Sequence, residues 1–235
     1  MAMELSLAER QELLSLFAPL RVTDISDGMD WLMLHDVGLV DRNIRPLARP
    51  MSFVGFAKPT RYVPTNRKIP TMTPEDYSAY VGTWYNEICP YPIADIIEPG
   101  DVICFDASDL DVGLLGSENV LRFINSGARG IVTNGGCRDT DEVIAQKCPV
   151  FSRYISRTMV QGRLEFCDLM KPINLGGVLV RPGDVVAGDG DGVIVVPLER
   201  AWDVAKYALA ELARDKVNRR RLYEEGGLPV DDSVR

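Results

Sequence analysis

Two short stretches hold residue types whose spacing could do chemistry. The first, Gly127-Ala128-Arg129-Gly130-Ile131-Val132-Thr133-Asn134-Gly135-Gly136-Cys137-Arg138-Asp139, runs from an apolar strand pattern into a glycine pair and ends on adjacent arginine and aspartate. Read as a strand and a tight glycine turn, it projects both side chains from a strand end, where α/β proteins build sites. A guanidinium offers a planar fork of donors to a carboxylate or an enolate oxygen, and a carboxylate is a hard ligand for Mg2+. A plain structural account fits as well: Asp139 with Glu142 reads as a capping box, and Arg138 as its ion-pair partner. The residues alone leave the two accounts level. The second stretch, Gly113-Leu114-Leu115-Gly116-Ser117-Glu118, is a glycine-bearing loop entering a helix. Free N–H groups there, with the helix dipole behind them, suit a carboxylate. Glycines entering helices are common, so alone this signal is weak.

Other chemistries are constrained by what the chain holds. His35 is the sole histidine and falls near a predicted helix end, which strains Ser-His-Asp and Cys-His schemes. Cys89, Cys104, Cys137, Cys148 and Cys167 are an odd set without CxxC spacing, which favours reduced thiols over disulfides or a zinc site. No lysine stands in either motif, so a Schiff base is not expected. Glycines 183, 188, 190 and 192 sit between strands, and no GxGxxG joins a strand to a helix, which argues against a Rossmann fold. Acids outnumber bases 34 to 26, and the net charge of -8 argues against nucleic acid as a partner. Arg219, Arg220 and Arg221 lie among acidic neighbours, as on a solvated or intersubunit helix face. Met1-Ala2-Met3-Glu4 opens no secretory signal and no stretch has membrane-spanning length, so a cytoplasmic, membrane-free protein is expected.

The elements that must position the two motifs follow from periodicity. A helical segment over 5–36 opens on the capping box Ser6-Leu7-Ala8-Glu9, and a second helix is predicted from Thr23 or Asp24 to Leu34. A strand is predicted over 52–57. Prolines then interrupt the pattern as far as Pro99, and a short helix starting at Pro74 carries Tyr77, Tyr80, Trp84 and Tyr85. A core over 100–197 begins with strand 102–105, a loop over 106–116, a helix over 117–125 and a strand over 130–133. It closes with glycine-punctuated strands near 178–180, 185–187 and 193–196. A long helix over about 198–224 ends the pattern, with Ala201, Val204, Ala205, Ala208 and Leu212 on one face. The whole chain, 1–235, reads as one α/β domain.

The order Gly116, Gly127-x-x-Gly130-x-Val132-x-x-Gly135-x-x-Arg138-Asp139, Pro182-Gly183-Asp184 and Asp191-Gly192-Val193 resembles the RraA-like family. The likeness runs from Thr23 to about Glu224. That family includes 4-hydroxy-4-methyl-2-oxoglutarate and 4-carboxy-4-hydroxy-2-oxoadipate aldolases, and also regulators of ribonuclease E. The resemblance implies a layered β/β/α swivelling-type fold, assembled as a homotrimer or homohexamer with sites between subunits. It implies that amides of Gly116, Ser117, Glu118 and Asn119 hold a pyruvate carboxylate, Arg138 the keto or enolate oxygen, and Asp139 a Mg2+ or Mn2+ ion. Enzymatic members carry an acid directly after the loop glycine; here Ser117 stands there and Glu118 comes one place later. A second acid comes from a neighbouring subunit's C-terminal helix, and Asp215 is the nearest match. The regulators tend to lack the aspartate that is Asp139 here. The implied activity is metal-dependent class II cleavage of a 4-hydroxy-2-oxo acid to pyruvate through an enolate, with oxaloacetate decarboxylation as a companion. The alternatives are a protein-binding regulator of ribonuclease activity and a lyase for another oxo or hydroxy acid. Relative to compact members, residues 62–88 look like an insertion, either an oligomer-contact flap or a lid over the site.

Overall fold

The computed structural model describes residues 5–235; Met1–Glu4, inspected above for a secretory signal, lie outside the described residues. Helix α1 (Leu7–Phe17) opens on the predicted capping box, with Glu9 N donating to Ser6 Oγ and Ser6 N donating to Glu9 Oε2. Helix α2 (Val22–Asp30) starts earlier than Thr23 and stops short of Leu34. Its start is set by Asp24, whose carboxylate accepts the Arg21 N–H at 2.9 Å. Its end is set by Met33, left-handed at φ 59, while Leu34 N donates back to Met29 O. His35 therefore sits beyond the helix, its Nδ1 2.9 Å from Asp30 Oδ1.

Strand β1 (Arg45–Pro46) leads to β2 (Phe53–Pro64), which runs well past the predicted 52–57. Pro59 does not break β2, because the strand changes partner around it. Residues 53–56 pair with β10 (Val185–Asp189), and residues 60–64 pair with β7 (Leu164–Leu169). The Pro59 carbonyl accepts from Met170 N, so the missing N–H faces the gap between these two partners and costs no ladder bond. The sheet core is therefore wider than 100–197, and residues 62–64 of the supposed insertion are strand. Helix α3 (Pro74–Thr83) follows, then a single π turn over Trp84–Ile88. Trp84 is fully buried and its Nε1 donates to Leu164 O, so this segment is tied to the core rather than loose above it.

The parallel centre of the sheet is β3 (Asp101–Asp106), β5 (Gly130–Cys137) and β6 (Val150–Ile155), with β4 (Gly113–Leu115) added beside β5. Helices α4 (Ser117–Asn125) and α5 (Thr140–Ala145) are the crossovers. With β11 (Gly192–Val196) at the far edge, the order is β1-β6-β5-β3-β2-β10-β11. A second small sheet pairs β8 (Ile173–Leu175) with β9 (Val178–Val180). It stacks on the large sheet through Ile173, Leu175, Val180, Val132 and Phe151. Helices α1, α2 and the long α6 (Ala201–Glu225) cover other apolar surface through Phe17, Ile25, Val196, Val204 and Ala205. Every residue of β3 is buried, as expected of a strand covered on both faces. The outcome is the expected layered β/β/α single domain with a long C-terminal helix. Among the described residues no helix is long and apolar enough to cross a membrane.

Helices α2 and α6 meet at a glycine. A Cβ on Gly28 would lie 2.8 Å from Ala208 N and from Val204 O, both backbone atoms that cannot swing away. Gly28→Ala is expected to cost about 1–3 kcal/mol by overpacking, read as a lower denaturant midpoint. An unchanged midpoint would show that the two helices do not pack this closely.

Candidate active site

Strand β5 does not end at Thr133 in a glycine turn, as the sequence suggested; it continues through Gly135, Gly136 and Cys137. The register with β6 shifts between Thr133 and Gly136, which marks an irregularity rather than a reversal. The two glycines serve close approach. A Cβ on Gly135 would stand 2.6 Å from Ala107 Cβ, and one on Gly136 would stand 2.7 Å from Ser156 Cβ and 2.8 Å from Val112 O. This narrow passage lets β4 lie against the last residues of β5, where Arg138 N donates to Leu115 O at 2.8 Å.

The next two glycines lie against the functional pair. A Cβ on Gly113 would come 2.3 Å from Thr158 O and 3.1 Å from Arg138 Cδ, and one on Gly116 would come 2.6 Å from Asp139 Oδ2. Asp139 takes the left-handed conformation, φ 53 and ψ 39, which aspartate tolerates better than most residues. It stands at the N-cap of α5 without capping it. The capping-box account of Asp139 and Glu142 is thereby overturned: the carboxylate turns across to α4, accepting the Ser117 N–H at 3.3 Å, with Arg138 Nε 3.4 Å away. Both contacts are long and about a third of each side chain remains exposed, so the carboxylate keeps lone pairs free for a ligand.

Arg138 and Asp139 line a cleft of about 510 Å³ with Gly113, Gly116, Glu118 and Asn119. Helix α4 makes its first internal bond from Val120 N to Gly116 O, so the N–H groups of residues 117–119 have no partner within the helix. Ser117 N is turned to Asp139, whereas Glu118 and Asn119 face the cleft. The far wall comes from the stretch after α3: Tyr85, Asn86, Pro90, Tyr91, Pro92 and Asp95. Tyr91 donates its hydroxyl to Leu114 O at 2.5 Å, pinning the strand that leads into α4. Burial raises its phenol pKa well above the ordinary value, so it stays a protonated donor at neutral pH. Leu114 and Arg122 complete the lining. Sequence reading passed over Tyr91, Asp95 and Arg122. For the first two the only signal was an unusual density of aromatics and prolines; Arg122 showed only as a residue one turn beyond Glu118.

The remaining candidates are placed apart. Asp215, on α6, lies 2.9 Å from Arg21 Nη2 and 3.1 Å from Arg219 Nε, in a separate surface hollow with Asp24, Asp27 and Glu211. One chain does not bring it to Arg138 and Asp139. Cys137 is buried, and burial, then the charge of Asp139, pushes its thiol up to about 12, which is no setting for a thiolate nucleophile. All five cysteines are free thiols, as expected. Among the described residues no group of three or more His, Cys, Asp or Glu gathers as a full metal cage. The donor chemistry still fits Mg2+ or Mn2+: such ions are commonly held by one or two carboxylates, with waters and substrate filling the other positions. Asp139, accessible and cradled over Gly116, is a donor of that kind, and Glu118 is a second carboxylate on the same cleft.

A family model described as RraA-like, Aldolase/RraA, matches residues 22–195. A Halalkalibacterium halodurans protein named "Putative 4-hydroxy-4-methyl-2-oxoglutarate aldolase" is 32% identical over 127 residues, 54% of this chain and 60% of that protein. Protein DlpA of Legionella pneumophila is 26% identical over 188 residues, 80% of this chain but 28% of its own length. The chain thus spans less than two thirds of these curated relatives. Among solved structures, an uncharacterized Pseudomonas syringae protein matches with TM-score 0.73 at 24% identity, covering 96% of this chain and 98% of that one. Streptomyces coelicolor RraAS2, described as an unusual member of the RNase ES inhibitor RraA protein family, matches with TM-score 0.74 at 23% identity, covering 89% and 98%. These two likenesses establish the fold.

Gly116 separates site from scaffold. Its φ of -136 and ψ of 172 are open to any residue, so Gly116→Ala carries no backbone strain, yet its methyl would strike Asp139 Oδ2. The variant is expected to unfold within about 1 kcal/mol of wild type, as substitutions without a strained backbone or buried cavity do. The Ser117 amide resonance should shift as the carboxylate leaves it. An unmoved Ser117 resonance would contradict the Gly116–Asp139 contact.

Proposed function

The chain belongs to the RraA-like family, and from that membership and the cleft at the end of β5 we propose a carbon–carbon lyase that releases pyruvate from a 4-hydroxy-2-oxo acid. Mg2+ or Mn2+ would be its cofactor, and a homotrimer or homohexamer its working form. The observation that carries the proposal is Asp139: a left-handed residue at a helix N-cap whose carboxylate serves the cleft instead of the helix, beside Arg138. A purely structural capping aspartate has no need of that posture. A protein-binding regulator of ribonuclease activity, the rival in this family, would leave the pair idle.

Asp139 would hold the cation, which when bound supplies positive charge beside the substrate's 2-oxo group. The first-turn amides of α4 at Glu118 and Asn119 would take the 1-carboxylate, where aligned N–H groups and the helix dipole favour an anion. Arg138 would donate to the 2-oxo oxygen, and its fork also fits a carboxylate edge. Glu118, exposed on the same cleft, would accept the C4 hydroxyl proton through a water. As that proton leaves, C4 becomes a carbonyl, the C3–C4 bond breaks, and its electron pair becomes the enolate of pyruvate. Arg138 stabilises the new oxyanion electrostatically, and a proton delivered to C3 completes pyruvate. Oxaloacetate reaches the same enolate by losing carbon dioxide from C4, so its decarboxylation belongs to the proposal. Asp215 would enter from a second copy of the chain, as a further acid for proton relay.

Asp139→Asn keeps size and shape but removes the charge, so Mg2+-dependent pyruvate release from oxaloacetate or from 4-hydroxy-4-methyl-2-oxoglutarate should vanish while the fold survives. Equal rates for wild type and variant in chelator-cleared buffer with added Mg2+ would defeat the proposal. Arg138→Lys keeps charge but not the coplanar fork, and a loss of about 2–4 kcal/mol of transition-state stabilisation is expected in kcat/KM. A lysine variant within a few-fold of wild type would make Arg138 a structural residue.

A further inference from the structure

The proposed chemistry uses Arg138, Asp139 and the first turn of α4, and leaves one wall of the cleft without a role. A pyruvate unit has six heavy atoms and, at the ~30 Å³ that a water occupies in the liquid, fills about 180 Å³. Most of the 510 Å³ cleft is left for whatever C4 of the substrate carries.

That wall is built by two short irregular helices. In the π turn, Cys89 N donates to Trp84 O at 2.7 Å, Trp84 is sunk in the core, and Tyr85 and Asn86 line the cleft. In the 3-10 helix Pro92–Asp95, residues three apart eclipse, so Pro92 and Asp95 share a face, and both line the cleft. Tyr91 joins the two helices and fixes their place. Its hydroxyl meets Leu114, the neighbour of the Gly113 against which Arg138 lies, so Tyr91 marks the Arg138 end of the wall. Tyr62, Phe123 and Tyr85 pack around its ring. Tyr62 and Phe123 are fully buried in the core, so Tyr85, stacked at 6.5 Å and 27°, continues the wall outward from Tyr91. A substrate held at its 2-oxo oxygen by Arg138 thus passes Tyr91 first and carries its remoter carbons to Tyr85.

The charge on this wall is negative. Asp95 is its one charged lining residue and is exposed, as is Asn86. Arg122 does not offset it: helical side chains lean toward the N-terminus, so this one stands over the turn of α4 that carries Glu118 and Asn119, the end given to C1. Three kinds of tail can then be ranked. A second carboxylate meets Asp95 with like charge. A hydrocarbon tail strips water from the Asp95 carboxylate and the Asn86 amide and offers nothing in return. A hydroxyl both donates and accepts, so it satisfies either group, while the C–H side of a hydroxylated chain packs on the Tyr85 ring.

We propose that Tyr85, Asn86 and Asp95 determine specificity for 4-hydroxy-2-oxo acids whose carbons beyond C4 carry hydroxyl groups, the Asp95 carboxylate accepting from one of them. The proposal rests on the oxo-acid reading of Arg138 and the α4 amides.

Three six-carbon substrates that differ only beyond C4 isolate the tail: 4,5,6-trihydroxy-2-oxohexanoate, 4-hydroxy-2-oxohexanoate and 4-hydroxy-2-oxoadipate. Pyruvate release is followed with Mg2+ for the full chain, Asp95→Ala and Asp95→Asn, and kcat/KM is referred to the open-chain fraction of each acid. The wild type should favour the trihydroxy acid over each of the others by about ten-fold, the scale of one charge-assisted hydrogen bond. Asp95→Ala should bring its ratio to the methyl-ended acid within about two-fold of one, since that bond is gone. Asp95→Asn, which keeps an acceptor but not the charge, should retain part of that ratio and lose most of the discrimination against the adipate. A wild type without the preference, or an Asp95→Ala variant that keeps it, overturns the assignment while leaving the oxo-acid site standing. Pyruvate from none of the three overturns it too, and failure to decarboxylate oxaloacetate as well overturns the reading beneath it.

Discussion

Everything at the candidate site depends on how closely one edge strand can lie against the end of its neighbour. Strand β4 and the start of α4 press onto the last residues of β5, and glycines stand at the tight points: 113 and 116 on one side, 135 and 136 on the other. Each is a place where a methyl would stand within about 3 Å of backbone, of a neighbouring Cβ or of the Asp139 carboxylate. The sheet is fixed by burial on both faces, so it cannot spread to admit a side chain there. The cleft is therefore built by omission of side chains. Arg138 and Asp139 lie against Gly113 and Gly116, and Glu118 and Asn119 line the cleft because β4 delivers the helix at that height. Tyr91 secures the same junction from outside, satisfying a Leu114 carbonyl that β5 does not reach.

Electrostatics then differentiates the cleft. Three carboxylates, Asp95, Glu118 and Asp139, share it with two guanidiniums, and Asp139 is met by the Ser117 amide and by Arg138. In the proposed enzyme a divalent cation at Asp139 would relieve the excess of negative charge and make the cleft receptive to an anionic oxo acid. Function in this account is a consequence of charge arranged on a rigid glycine-cleared floor.

Much of this was legible in the sequence, for reasons that can be named. The capping box at Ser6, the apolar run of β3, α4 over 117–125 and the apolar stripe of α6 depend on local periodicity, and the structure has them where periodicity put them. Glycine was read correctly as a marker and wrongly as a turn. Gly135 and Gly136 stay in the strand, because their purpose is set by Ala107, Val112 and Ser156, residues distant in sequence. Asp139 with Glu142 has the spacing of a capping box, and only the left-handed backbone shows that the side chain goes elsewhere. β2 was cut short at Ala57, ahead of Pro59, since nothing local reveals that the strand exchanges β10 for β7 there. The far wall of the cleft was invisible for the same reason: Tyr91 and Asp95 meet α4 through tertiary packing, without a spacing rule.

The central claim is that Arg138, Asp139 and the first turn of α4 form one site for a divalent cation and an oxo-acid enolate. Its most direct test is a crystal of the protein soaked with Mg2+ and oxalate, a planar dianion that imitates that enolate. The account predicts metal density at the Asp139 carboxylate and oxalate density within hydrogen-bond reach of Arg138 and of the Glu118 and Asn119 amides. A well-ordered cleft that stays free of both at saturating concentrations, or an ion and oxalate bound elsewhere, would contradict it.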